Sequence, residues 1–191
     1  MVLVKTHLNS TISTQNARNA TLDIVDYYYG KPMTVEEYKY VRISLDIIPK
    51  EIVTQYELRK IAVNGWVYIE IRKGLPGLKQ AGKIAHDRLK THLEKYGYRP
   101  CRHTPTLWMH ATRPISFTLV VKDFGVKYVG GRHLNHLINA LQDQSKITVD
   151  LTGKSYLGLT IDWNYAQGYV NICLPDYVRK ALHEFQHPAP R

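Results

Sequence analysis

The sequence predicts an α+β fold built on an antiparallel sheet. Two kinds of run carry that expectation: short stretches in which apolar residues alternate, as half-buried strands require, and stretches whose apolar residues recur near 3.6. They are interspersed along 191 residues with no repeat, low-complexity tract or linker between them, and 44% of the residues are hydrophobic, enough for a core. A single domain over 1–191 is expected.

The elements follow in order. "ATLDIVDYY" (20–28) reads as a strand with Asp23 and Asp26 near its end, followed by the turn "GKPM". "YKYVRIS" alternates like a strand, whereas "PKEIVTQYELRKIA" places Pro49 at a helix start and spaces its apolar residues helically. In "GWVYIEIRKG", Trp66, Tyr68 and Glu70 alternate against Val67, Ile69 and Ile71, and Gly74 ends the strand. From about Gln80 to Tyr96, Ile84, Leu89 and Leu93 fit a helix that Gly97 stops.

"ISFTLVV" and "GVKYVGG" form two arms of a hairpin around Lys122, Asp123 and Phe124. "RHLNHLINALQDQ" is an amphipathic helix carrying Leu134, Leu137, Ile138 and Leu141 on one face. "KSYLGLTIDWNYAQGYVNICL" reads as a second hairpin turning at "YAQG". "PDYVRKALHEFQH" opens with Pro175 and shows a stripe of Tyr177, Val178, Ala181, Leu182 and Phe185. With 30–75 as an insertion, the core order is strand, helix, strand, strand, helix, strand. That is the order of a split βαβ, ferredoxin-like antiparallel sheet with helices on one face.

Charge narrows the partner. Lys and Arg number 26 against 16 Asp and Glu, a formal net charge of +10, and there are 14 tyrosines. Such a surface suits a polyanion, since phosphate neutralisation is the sequence-independent part of nucleic-acid affinity; a basic protein without that partner has the same composition. Cys101 and Cys173 offer no disulfide framework, so an intracellular location, cytoplasmic or nuclear, is expected. No apolar run approaches the roughly 18 residues of a membrane helix, and "MVLVKTHLNS" lacks a signal-peptide core, so no membrane partner is expected.

In a ferredoxin-like sheet the first and third strands are central neighbours, which would bring Asp23 and Asp123 to one edge. Carboxylates converging there suit a hard divalent cation such as Mg²⁺. Strand-end aspartates also serve as solvated turn formers.

"TLDIVDYYYGKPM", "GLPGLKQAGKIAHDRL", "SFTLVVKDFGVKYVGG" and "YLGLTIDW" stand in the order and approximate spacing of the palm motifs of retroelement reverse transcriptases. The chain resembles, over roughly residues 9–187, the polymerase segment of copia-type LTR retrotransposon polyproteins. The resemblance implies a right-hand polymerase palm with partial fingers, lacking thumb and RNase H. It further implies RNA-directed DNA polymerase chemistry, a nucleotidyl transfer using Mg²⁺, deoxynucleotides and an RNA or DNA primer–template.

Carried over by position, Asp23 and Asp123 would be the catalytic, metal-binding carboxylates, and Tyr28 would screen the sugar of the incoming nucleotide. Gly77, Leu78, Lys79 and Gln80 would pack against the templating pair and nucleotide. Tyr156, Leu157 and Gly158 would form the primer grip.

One position departs. Where the family pattern pairs two hairpin aspartates, the first of them is Lys122 in this chain, moving the local charge by two units. At about 4 Å and an effective dielectric of about 20, each unit charge pair is worth about 4 kcal/mol, so attraction for a divalent ion becomes repulsion of several kcal/mol. Lys122 is expected to settle between Asp23 and Asp123 as an internal countercation. Two functions are therefore in view: a polymerase palm impaired at its metal site, or a non-catalytic nucleic-acid-binding or interaction module derived from a retroelement.

Other clusters carry less. His133 with His136, His183 with His187, and Cys101 with His103 lack a third ligand, and solvated helix faces are the expectation for the helical pairs. Arg72, Lys73, Lys79, Lys83, Arg88, Lys90 and Lys95 suit either solvent or a phosphate backbone.

Overall fold

The alternation read over residues 115–129 lies at the heart of a six-stranded antiparallel sheet. The structure, a computed structural model, describes residues 2–29 and 32–186. In chain order the elements begin with α1 (Val2–Ile12), β1 (Ala17–Ile24), β2 (Lys39–Ser44), α2 (Lys50–Gln55), α3 (Leu58–Ile61), β3 (Trp66–Ile71) and α4 (Lys79–Lys95). Then come β4 (Tyr98–Cys101), β5 (Thr104–His110), β6 (Ile115–Val120), β7 (Asp123–Val129), α5 (Gly131–Gln142) and β8 (Ile147–Asp150). Last are β9 (Ser155–Tyr156), β10 (Leu159–Asn164), β11 (Tyr169–Cys173) and α6 (Pro175–Glu184). The fold is mixed α+β with antiparallel sheets.

The chain forms two compact units, one of Met1–Tyr27 with Arg88–Arg191 and one of Tyr28–Asp87. In the first, the sheet order is β4-β5-β6-β7-β1-β8, and β9, β10 and β11 form a separate three-stranded sheet. The edge strand beside β1 is thus β8, which the sequence reading passed over, while the 155–173 hairpin builds its own sheet.

Register assigns the faces of the large sheet. Phe117, Val126 and Trp108 share one face, where Trp108 stacks on Phe117 with centroids 5.8 Å apart and Phe117 meets Phe124 at 5.2 Å. All three rings are fully buried, and truncating such a residue costs about 3–5 kcal/mol. Helix α5 packs on that face, and His92 of α4 contacts the Ala140 carbonyl 2.6 Å away. Residues one step along, Ser116 and Lys127, face the other way and meet α1: His7 Nε2 lies 3.0 Å from Ser116 Oγ, and Lys127 Nζ donates to Ser10 Oγ at 3.2 Å. The expected layer of helices on one face is therefore joined by α1 on the opposite face.

In the second unit, β2 and β3 form a two-stranded ribbon. Val67 and Ile43 on one side pack with Val53 and Leu58 of the short helices. The single helix expected over 49–62 is two, because Glu57 between them takes a left-handed conformation (φ +49°) that no helix continues through.

Candidate functional site

The hairpin of β6 and β7 turns at Val121–Lys122, since Val120 pairs with Asp123. Asp123 is not the tip, as the sequence reading had it, but the first residue of β7, directly opposite Asp23 of β1. Two carboxylates thus face each other across a central strand pair. Lys122 reaches back from the turn: its Nζ donates to Asp23 Oδ2 at 3.1 Å and stands 3.0 Å from Oδ1, a close approach without hydrogen-bond alignment. The pair is partly solvated, so by itself it is worth about 1 kcal/mol. Burial, the Asp23 charge and a side-chain hydrogen bond to Asp23 raise the Asp123 carboxyl above its ordinary range, with Lys122 pulling the other way.

These residues open on a cleft of about 500 Å³ lined by Asp23, Asp123, Thr148, Asp150 and Ser155, and by Tyr156, Leu157 and Gly158. The two aspartates and the "YLG" run, more than thirty residues apart in sequence, are brought to one cavity. Leu157 (φ +52°) and Gly158 (φ +78°) are both left-handed and lie between paired Tyr156 and Leu159, which is the two-residue turn that matches strand twist. Tyr156 is fixed beneath. Its hydroxyl donates to the Thr118 carbonyl at 2.9 Å and lies 2.9 Å from Thr118 Oγ1; burial pushes its ionisation up to about 12.

That ring lies over Gly125, where a Cβ would stand 2.7 Å from Tyr156 Cε1. Thr118, Gly125, Thr148 and Ser155 were not among the sequence-derived site residues. A glycine inside the strand "DFGVKY" is the one signal that pointed to close approach there.

Asp26 lies outside the cleft lining, exposed in a left-handed turn residue (φ +54°) just past β1. Tyr28, Gly77, Lys79 and Gln80 belong to the second unit. There the Tyr28 carbonyl lies so near Gly74 that a Cβ would come within 2.5 Å of it, and a Cβ on Gly82 would stand 3.9 Å from the Tyr28 ring. Pro76 and Gly77 (φ +92°) form a tight turn, closed by Leu78 N–H donating to the Leu75 carbonyl at 3.3 Å, and Lys79 and Gln80 begin α4. The Lys79 side chain and His187 lie outside the described residues.

The His133–His136 pair is not a solvated face. His133 is buried between Arg113 and Arg132, and His136 Nδ1 lies 2.9 Å from the Tyr98 hydroxyl. Burial, with Arg113 nearby, lowers the basicity of both imidazoles.

A hard divalent ion needs several oxygens free of competing cations. Of the three carboxylates lining the cleft, Asp150 already accepts from the Thr152 hydroxyl and from the Thr152 and Lys154 N–H groups, and an ammonium stands against Asp23, leaving only Asp123, among the described residues, without a cation or N–H donor in contact. Among the described residues no three His, Cys, Asp or Glu side chains converge in a metal-holding group. The residues present do not fit a two-magnesium centre. Among them, too, no helix is long and apolar enough to cross a membrane. No protein-family model matches the chain, and no solved structure matches it.

Proposed function

We propose that the chain is a reverse-transcriptase-type palm that holds a nucleic-acid primer–template without extending it. The observation that carries this is Lys122: its ammonium stands against the Asp23 carboxylate, which faces Asp123, and the two aspartates line the cleft together with Tyr156, Leu157 and Gly158. The order β8-β1-β7-β6 within the large sheet supports the palm, because it makes the first and third strands of a split βαβ unit central neighbours. The net charge of +10 supports a polyanionic partner.

Nucleotidyl transfer in such a site would rely on bound Mg²⁺ to activate the primer hydroxyl and steady the leaving oxygens. In this chain Lys122 supplies the neutralising charge instead. Its role is electrostatic: it lets two facing carboxylates coexist without an ion. Tyr156, Leu157 and Gly158 would keep the primer end in place.

Primer extension with Mg²⁺ and deoxynucleotides tests the reading, using the chain and its Lys122→Asp variant. The chain itself should give no incorporation while shifting labelled primer–template in a salt-dependent manner. Lys122→Asp should gain Mg²⁺-dependent incorporation that Asp23→Ala removes. Incorporation by the unaltered chain would refute the ion-paired site, and no binding at low salt would refute the nucleic-acid reading as a whole.

A further inference from the structure

The two faces of the β2–β3 ribbon differ in kind. Register places Val41, Ile43, Val67, Ile69 and Ile71 on one face and Tyr40, Arg42, Ser44, Trp66, Tyr68 and Glu70 on the other. On the aliphatic face Ile43 and Val67 pack on the short helices while Val41 and Ile69 stay partly exposed; the second face carries the aromatics further outward, with Tyr40 68% and Tyr68 64% exposed. A strand pair ordinarily turns its large rings inward, so rings held in solvent need an explanation.

Cations accompany the rings. The Arg42 guanidinium lies over Trp66, 4.1 Å from the ring centroid, and Arg72 stands 5.7 Å from the Tyr38 ring. Arg42 and Arg72, which register places on the aromatic side, are both exposed. Glu70 is committed: it accepts from Tyr40 Oη at 2.7 Å and from Arg72 Nε, so it holds one ring in place and adds little free negative charge. The face has no aliphatic side chain, which disfavours an apolar partner, and it combines flat π surfaces with basic edges.

We propose that this face is a stacking platform for an unpaired polynucleotide strand, whose bases lie on Tyr40, Tyr68 and the Arg42–Trp66 pair and whose phosphates meet Arg42 and Arg72. Stacking is indifferent to base identity because every base has a π face, and the guanidinium on the indole keeps its N–H edge for phosphate. The tether from Tyr40 to Glu70 restricts that ring before binding, which lowers the ordering cost. Recognition through bases and phosphates leaves the sugar unread, so DNA and RNA single strands bind alike. The proposal stands on this surface alone and does not depend on the cleft.

The test is fluorescence anisotropy of the full chain with labelled oligo(dT) and oligo(rU) of about 20 nucleotides, spanning more than one stacking register. Both oligomers should bind with similar affinity. Tyr40→Leu/Tyr68→Leu should weaken binding about 100-fold, from about 1–3 kcal/mol for each stacked base, with the salt dependence kept. Tyr40→Phe/Tyr68→Phe should stay within about threefold, because the π faces survive. Circular dichroism checks that these exposed substitutions leave the fold intact. Wild-type affinity in the Leu variant, or equal losses in Leu and Phe variants, would overturn the proposal. So would an absence of oligomer binding at low salt, whether the face then proves to mediate self-association or vesicle binding.

Discussion

The cleft of the first unit and the open ribbon face of the second use aromatic rings and cations in opposite arrangements. In the cleft the ring of Tyr156 is buried and hydrogen-bonded, and the cation Lys122 is consumed by a carboxylate. On the ribbon the rings of Tyr40 and Tyr68 face solvent, and Arg42 rests on a π face, where its charge is not cancelled. The difference lies in what each cation neutralises. Lys122 satisfies the protein's own charge, whereas Arg42 remains available to an outside anion.

Acid should separate the two regions most strongly. His7, buried between α1 and the large sheet, has its basicity lowered to about 4 by burial and then by Lys127. A base whose folded pKa lies below its unfolded 6.5 leaves stability intact above 6.5 and removes it as pH falls toward 4, here by about 3 kcal/mol. Hydrogen exchange between pH 7 and pH 4 should show protection lost in α1 and β6 first, with β2–β3 unchanged. His7→Gln should flatten that dependence. Uniform loss across both units would contradict the assignment.

A smaller effect tests the cleft wall. Gly125→Val would drive a side chain into Tyr156 and Thr118, costing about 2 kcal/mol in urea unfolding and displacing the Leu157–Gly158 turn. Tyr40 and Tyr68 binding should be unaffected, which sharpens the contrast. The smallest expected change is a gain. Val121 occupies a left-handed conformation (φ +59°) that β-branched residues avoid, so Val121→Gly should raise stability by about 0.5–1 kcal/mol in the same assay, net of glycine's unfolded-state entropy. A loss of stability would mean that the Val121 side chain contributes more than its backbone strain costs.

Much of this was legible in the sequence where a local rule coincided with tertiary need. The alternation of "ISFTLVV" gave β6, Gly97 (φ +84°) stopped α4 as expected, and Pro175 opened α6. Elements lacking such a coincidence were missed. β4 contains Pro100 and β5 contains Pro105, which weaken any strand pattern, and β8 is only four residues long. α1, "VLVKTHLNSTI", exposes Val2 and buries His7 and Thr11 along with Val4 and Leu8, so its inner face does not read as an apolar stripe in the sequence. At the site, the types of Asp23, Lys122 and Asp123 were readable, but the turn position was not, because a single-residue shift of register decides whether Asp123 is tip or strand.

One packing contact has a kinetic consequence. Val4 and Leu8 of α1 share a buried cluster with Tyr156, Leu159 and Ile161, so one wall of the cleft is tied to a helix about 150 residues earlier. Closing a loop of that size carries a large entropic cost before any contact repays it, which delays such pairings relative to local hairpins. During synthesis the β6–β7 hairpin can form as soon as it emerges, carrying Lys122 and Asp123 together. The wall that Tyr156 builds must wait for the chain to return to its beginning.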